Sequence, residues 1–99
     1  MKFFVYILFS KNLERFYTGI TSLSLEERLE NHINKKYGNL NFTQKAEDWI
    51  LFHFIECINI SQARKIELHI KNMKSKIYIQ NLIKYPVIET KLLKKFKSF

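Results

Sequence analysis

The sequence is poor in residues that interrupt or cross-link a chain, because its 99 residues include only two glycines, one proline and one cysteine. So few glycines and prolines argue against a long disordered linker. The single cysteine excludes an intrachain disulfide and any zinc site built from several cysteines. Because Cys57 lies within an apolar segment, we expect it to be a small buried hydrophobic residue.

The sequence also lacks an apolar run that approaches the roughly 20 residues of a membrane-spanning helix. Residues 3–9 are apolar, but a polar segment follows them where a signal peptide would have its small-residue cleavage site. We therefore expect a cytoplasmic protein that works in a reducing environment.

Acidic residues are scarce, and the formal net charge is +8 at pH 7. Residues 1–50 contain seven Lys or Arg and six Asp or Glu, a net charge of +1, whereas residues 51–99 contain ten and three, a net charge of +7. A basic half of this kind is typical of a protein that binds a polyanion, most simply nucleic acid. Solvated lysine faces on small helices would give the same charge, so charge alone barely favours nucleic acid.

Runs of β-branched and aromatic residues predict three strands, at residues 3–9, 15–21 and 49–57. A polar segment of five residues joins the first two strands, which predicts a β-hairpin. Within the second strand, Gly19 indicates either a simple bulge or a place where another group must approach the backbone closely.

Capping residues and apolar spacing predict four helices. A capping box at residues 24–27 should start the first helix near Leu25. Ser61 and Ser75 should begin the second and third helices, and Pro86 should separate the third helix from the last one.

Four side chains of the amino-terminal third suit the cleavage of a phosphodiester. Tyr6 and Tyr17 lie on the two hairpin strands, and Arg28 and His32 lie one turn apart on the first predicted helix. A tyrosine can donate or accept a proton, and an arginine can hold a phosphate through two parallel N–H bonds. Each residue also has a plain structural interpretation, since tyrosines on apolar strands usually belong to the core with the hydroxyl at its rim.

The second predicted helix carries an acidic residue, Glu67, within an apolar stripe formed by Ala63, Ile66, Ile70 and Met73. A carboxylate on the buried side of a helix costs free energy unless it is paired, protonated or bound to a cation. Glu67 is therefore either a functional residue or one half of a partly buried salt bridge with Arg28 or Arg64. The other two histidines, His53 and His69, lie away from this pattern, and we expect them to be structural or solvent-facing.

Taken in order, these elements resemble the GIY-YIG endonuclease domain over residues 2–84. The segments that carry the resemblance are FVYIL at residues 4–8, FYTGIT at 16–21, RLENH at 28–32 and ARKIE at 63–67. Val5 stands where the first glycine of the namesake motif is usual, and Thr18 stands where isoleucine or valine is usual. Residues 70–76 and the segment from residues 42 to 49 are similar to small single-domain bacterial members.

The resemblance implies a mixed α/β (α+β) fold, with a small three-stranded antiparallel sheet flanked by helices and a basic helical carboxy-terminal segment. It implies a single domain over residues 1–99, with a core at residues 2–84 and a last helix at residues 86–97. It also implies an endonuclease that uses Mg²⁺ or Mn²⁺ to hydrolyse nucleic acid, with DNA favoured over RNA. Targeting by a protein partner and the oligomeric state stay open.

The resemblance also assigns roles to the candidate residues. Glu67 would be the single protein ligand of the metal, and Arg28 would hold the scissile phosphate. Tyr6 would accept a proton from the attacking water with help from His32, and Tyr17 would bond the phosphate or the water. Many members carry an asparagine beyond the metal-binding glutamate, but the spacing of Asn81 leaves its role open.

The lysines that we assign to nucleic-acid binding are Lys45, Lys71, Lys74 and Lys76. Two alternatives to an enzyme remain at this point. One is a nucleic-acid-binding or regulatory module that keeps the fold without turnover. The other is a basic helical interaction module that acts through residues 71–97.

Overall fold

The computed structural model describes residues 2–22 and 48–97. Three strands and three helices lie within these ranges: β1 (Phe3–Ser10), β2 (Arg15–Thr21), β3 (Ile50–Cys57), α1 (Ile60–Met73), α2 (Lys76–Lys84) and α3 (Pro86–Lys95). The helix predicted to start near Leu25 lies outside the described residues. Among the helices that are described, none has the length and apolar character needed to cross a bilayer.

The three strands form one sheet in the order β2-β1-β3, and both pairings are antiparallel. All three predicted strands are confirmed to within a residue at each end, and so is the mixed α/β fold. The hairpin connection is one residue shorter than predicted, because Ser10 still pairs with Arg15. Glu14 closes this turn in the left-handed region, with a φ of 52°.

A β-bulge interrupts the pairing of β1 with β3. Ile7 pairs with His53 and Leu8 pairs with Leu51, so Phe52 is an extra residue on β3. The bulge places the Phe52 ring 4.8 Å from that of Phe16, measured between centroids. Phe52 thereby joins the apolar layer between the sheet and the helices.

The helices cover one face of the sheet and form the main core with it. Val5, Ile7 and Ile55 from the sheet are at most 1% exposed, and they pack with buried residues of the helices, namely Ala63, Ile66, Ile70, Ile79, Leu82 and Leu92. The predicted stripe on α1 is confirmed at its first three positions. Met73 is 44% exposed, contrary to the prediction, because α1 ends there and the chain turns at Lys74.

A buried glutamine, Gln62, holds the amino-terminal end of α1 in place through two hydrogen bonds. The apolar pattern did not predict its burial. The Oε1 atom of Gln62 accepts a hydrogen bond from the Ile58 N–H at 2.8 Å, and its Nε2 atom donates to the Leu93 carbonyl at 2.9 Å. The N-cap of α1 is Asn59, whose Oδ1 accepts from the Gln62 N–H at 2.8 Å. The prediction that Ser61 caps this helix was wrong, whereas Ser75 does cap α2.

Cys57 is confirmed as a buried residue. It is 4% exposed, and burial in the apolar core raises its pKa to about 11. The thiol is therefore protonated at neutral pH and acts as a small hydrophobic group.

The opposite face of the sheet carries a second, smaller core made of Tyr6, Leu8 and Trp49, each 1% exposed. Asp48, next to Trp49, connects the start of β3 to the hairpin turn. Its carboxylate accepts hydrogen bonds from the Ser10 hydroxyl at 2.6 Å and from the Asn12 N–H at 2.8 Å. These bonds, the one from Ser10 foremost, hold the pKa of Asp48 below the usual value of an aspartate.

This network predicts how stability depends on pH. Because the pKa of Asp48 is lower in the folded chain than in the unfolded chain, the ionised carboxylate stabilises the fold above about pH 4. That contribution is lost as pH falls through the folded-state pKa. We expect urea unfolding to show a shallower decline of stability below pH 4 for Asp48→Asn than for the wild type. Ser10→Ala, which keeps the carboxylate but removes its main donor, should also flatten the decline, and an unchanged slope in both variants would contradict the assignment.

Candidate active site

The hairpin places two of the predicted site residues side by side. Tyr6 pairs with Gly19 and Leu8 pairs with Tyr17, so the two tyrosines are diagonal neighbours on the same face of the sheet. Their ring centroids are 6.4 Å apart, and the ring planes are inclined by 40°. Tyr17 and Gly19, two residues apart on β2, share this face.

Gly19 is required because the Tyr6 ring lies directly across it. A Cβ atom at position 19 would lie 2.6 Å from Cζ and 3.0 Å from Cε1 of Tyr6, which is closer than non-bonded carbon atoms approach. The pairing of β1 with β2 runs through Gly19 without a register shift, so the simple bulge is excluded. The alternative, a close approach to the backbone, is confirmed, and the approaching group is the chain's own Tyr6.

The two tyrosines differ in burial. Tyr6 is 1% exposed and belongs to the small core with Trp49, whereas Tyr17 is partly buried and packs at the border of that core. Tyr17 also lines a surface groove. A molecule that approaches this face from solvent therefore meets Tyr17 before Tyr6.

Glu67 lies on α1, directly after the buried Ile66. Its Oε2 atom is 3.5 Å from Nζ of Lys71, one turn further along the helix. The same Nζ atom lies 5.8 Å from the centroid of the Tyr17 ring. Lys71 thus connects the carboxylate of α1 with the tyrosine pair on the sheet.

The salt bridge that the sequence suggested for Glu67 exists, but its described partner is Lys71 rather than Arg64, which is exposed. The sequence signal for this pair was the spacing: Glu67 precedes Lys71 by four residues, and side chains at this spacing are neighbours on a helix. Since the Glu67 side chain is only 15% exposed, Lys71 reduces the cost of holding a carboxylate at the edge of the core.

The donor chemistry at Glu67 fits a hard divalent cation such as Mg²⁺, which prefers oxygen ligands and often keeps several waters beside one or two carboxylates. Over residues 2–22 and 48–97, no group of three His, Cys, Asp or Glu residues could enclose a metal ion.

Three predicted site residues, Arg28, His32 and Lys45, lie outside the described part of the chain. Their assigned roles stay predictions. The structure places Tyr6 of β1 beside Tyr17 of β2, and Lys71 links Tyr17 to Glu67 of α1.

A groove of about 530 Å³ runs between β2 and the corner where α1 meets α2. We call it the basic groove, because its charged lining residues are Arg15, Lys71, Lys74 and Lys76. Three of these are lysines that we assigned to nucleic-acid binding from the sequence. Arg15 was missed, because at the first position of a strand it has no pattern that marks it as a binding residue.

The two described histidines have structural roles, as predicted. Nε2 of His53 lies 2.8 Å from a carboxylate oxygen of Glu89, which links β3 to α3. The His69 ring packs against Tyr78 and Phe96, with centroid distances of 5.8 and 5.5 Å. Neither residue lines the basic groove.

The contact between Tyr6 and Gly19 can be tested by stability. We expect Gly19→Ala to destabilise the protein by about 1–3 kcal/mol, because the new methyl group overpacks against the Tyr6 ring. In a Tyr6→Leu background the same substitution should cost much less, since the ring is gone. Urea unfolding of the four variants gives this coupling directly, and an equal cost of Gly19→Ala in both backgrounds would refute the contact.

A solved structure with the same overall arrangement is the solution NMR structure of the UPF0213 protein BH0048 from Bacillus halodurans. It aligns with 91% of this chain and 94% of its own chain, at a TM-score of 0.51 and 22% sequence identity. At this low sequence identity, the structural similarity supports the same fold and nothing about function. No curated protein sequence matches the chain at a significant level.

The sequence itself matches a protein family. Residues 2–82 fit the sequence profile of the GIY-YIG catalytic domain, which spans the hairpin, Glu67 and most of α2. With a match over most of its length and the two tyrosines paired on the hairpin, the chain belongs to the GIY-YIG family of nucleases.

Proposed function

We propose that this protein is a metal-dependent endonuclease that hydrolyses phosphodiester bonds in nucleic acid, with DNA as its main substrate. The observation that carries the proposal is a series of contacts: Tyr6 lies beside Tyr17, Lys71 lies near the Tyr17 ring, and Lys71 pairs with Glu67. Tyr17 and Lys71 also line the basic groove. This places proton-transferring groups, a carboxylate and several cations around one surface. A phosphodiester needs these partners if it is to be held and attacked by water.

The tyrosines are proposed to handle the attacking water. Tyr6 would accept its proton, with His32 as the next acceptor or as an orienting group, and Tyr17 would hydrogen-bond the water or a phosphate oxygen. In the structure Tyr17 lines the groove, whereas Tyr6 is buried in the small core beside it. A buried tyrosine held across Gly19 has little freedom to move, so its hydroxyl is positioned before substrate arrives.

The cationic side chains are proposed to bind the phosphates. Arg28 would hold the scissile phosphate through two N–H bonds and stabilise the charge of the transition state. Lys71 is suited to a neighbouring phosphate oxygen, because it already lies between Glu67 and Tyr17. The lysine-rich groove would supply much of the affinity, with little preference for base sequence.

Glu67 is the residue that would hold Mg²⁺ or Mn²⁺, since its carboxylate lies beside Lys71, which lines the groove. When bound, such an ion neutralises the charge that develops on the leaving oxygen. Lys71 would then exchange its contact with Glu67 for a contact with phosphate.

The test is a cleavage screen with Mg²⁺ over labelled DNA and RNA substrates that include single strands, nicked duplexes and branched structures. We expect wild-type protein to cleave at least one of them and Glu67→Gln to lose on the order of 100-fold or more in rate while it still binds. A matched control is Glu56→Gln, which removes an exposed carboxylate on β3, the strand furthest from the groove. Mn²⁺ binding measured by calorimetry should weaken for Glu67→Gln and not for Glu56→Gln.

Two further variants separate the enzyme from a binding module. Tyr6→Phe and Tyr17→Phe each remove one hydroxyl and should reduce cleavage on the order of 10²–10⁴-fold with binding retained. If wild-type protein binds substrates across the panel but cleaves none, the chain is an inactive binding module of the same fold. If wild type and Glu67→Gln cleave equally, Glu67 is not the metal ligand.

A further inference from the structure

The basic groove concentrates positive charge at a place where the fold does not require it. Arg15, Lys71, Lys74 and Lys76 line it, and neither aspartate nor glutamate is among its described lining residues. The described ion pairs include one of these cations, Lys71 with Glu67. No ion pair is recorded within residues 2–22 and 48–97 for Lys74 or Lys76. Like charges gathered in this way repel one another unless an anion lies between them.

The turn at Lys74 is what brings the three lysines together. On an uninterrupted helix, Lys76 would lie about 140° around the axis from Lys71, on another face. The left-handed conformation of Lys74, with φ 49° and ψ 39°, ends α1 and redirects the chain so that Lys76 also lines the groove. Glycine is the usual residue in this conformation. A lysine there keeps a cation in the groove at some conformational cost.

The dimensions of the groove indicate what kind of anion it takes. Its volume of about 530 Å³ is in the range of small-molecule pockets, and the groove is open to solvent, so an extended strand can lie in it without being enclosed. The partly buried Tyr17 lines the wall and offers a surface on which a base can stack.

We propose that the basic groove is a subsite for a single strand of nucleic acid, holding the phosphates that flank the scissile one. The proposal rests on the proposed nuclease function and adds where the strand runs: from Tyr17, past Lys71, to Lys74 and Lys76 at the corner between α1 and α2. The substrate is therefore single-stranded on one side of the cleaved bond.

Lys71 joins this subsite to the reaction centre. Its ammonium group lines the groove and also pairs with Glu67, 3.5 Å away. The lysine side chain is 46% exposed, so the pair is weak and a phosphate can take over Lys71 at little cost. A nucleic-acid strand in the groove would draw Lys71 away from Glu67. Occupation of the subsite therefore leaves the Glu67 carboxylate able to bind a metal.

The test compares two double variants that remove the same charge. Lys74→Gln with Lys76→Gln alters the groove, and Lys91→Gln with Lys94→Gln alters exposed lysines of α3 outside it. Binding of short fluorescent oligonucleotides is measured by anisotropy over a salt series in EDTA, so that no cleavage interferes. We expect the groove variant to bind single strands more weakly and its salt slope to shrink by about 1.4, equivalent to two lost phosphate contacts. The α3 variant should keep a slope close to that of the wild type.

The choice of oligonucleotide gives a second readout. Wild type should prefer a single strand, or a duplex with a single-stranded overhang, to a blunt duplex of the same sequence. The groove variant should lose this preference, in DNA and RNA alike. Equal effects of both double variants, or an equal loss on blunt duplex and single strand, would overturn the subsite. If the double groove variant does not fold, Lys76→Gln alone should still lower the slope by about 0.7.

Cleavage assays distinguish the failure of this subsite from the failure of the proposed function. If wild type cleaves nucleic acid and both double variants bind and cleave like it, the protein is a nuclease and the subsite is wrong. If wild type cleaves nothing but the groove variant alone loses single-strand binding, the subsite stands and the nuclease proposal fails.

Discussion

The candidate site depends on one steric constraint, the passage of the Tyr6 ring across a residue without a side chain. Gly19 allows β1 and β2 to keep a regular antiparallel register while an aromatic ring lies flat over the backbone between them. That register determines the diagonal placement of Tyr17 and the burial of Tyr6 beside Trp49. Any larger residue at position 19 forces the ring, the strand or both to move, and the spacing of the two hydroxyl-bearing rings changes with them.

The two faces of the sheet divide structural and functional tasks. One face is covered by α1, α2 and α3 and holds most of the buried apolar residues, whereas the other carries the tyrosines. Glu67 belongs to a helix of the first face but reaches the second through Lys71, at the edge formed by β2. The proposed chemistry therefore lies at a border of the fold, where a carboxylate is held by packing on one side and remains partly open to water on the other.

Much of this fold could be predicted because strands rich in aromatic residues and stripes of apolar residues are local signals. The bulge at Phe52 could not, since a residue pattern does not give the register of a distant strand. The burial of Gln62 and the exposure of Met73 depend on where α3 docks and where α1 ends. The hairpin tyrosines were found from their place on aromatic strands, and Glu67 from its place within an apolar stripe. The basic groove arises from the left-handed turn at Lys74, for which the sequence gives no glycine signal. Arg28, His32 and Lys45 stay predictions.

The buried thiol of Cys57 can report on local opening of the fold. Cys57 lies at the end of β3, paired with Phe3, and its high pKa leaves almost no thiolate at neutral pH. A disulfide reagent can therefore modify this position only during moments when the β1–β3 ladder or the helices above it separate. The rate of modification therefore measures how often the main core opens. This measurement needs no introduced label, and it reports on β3, which β1 separates from β2 in the sheet.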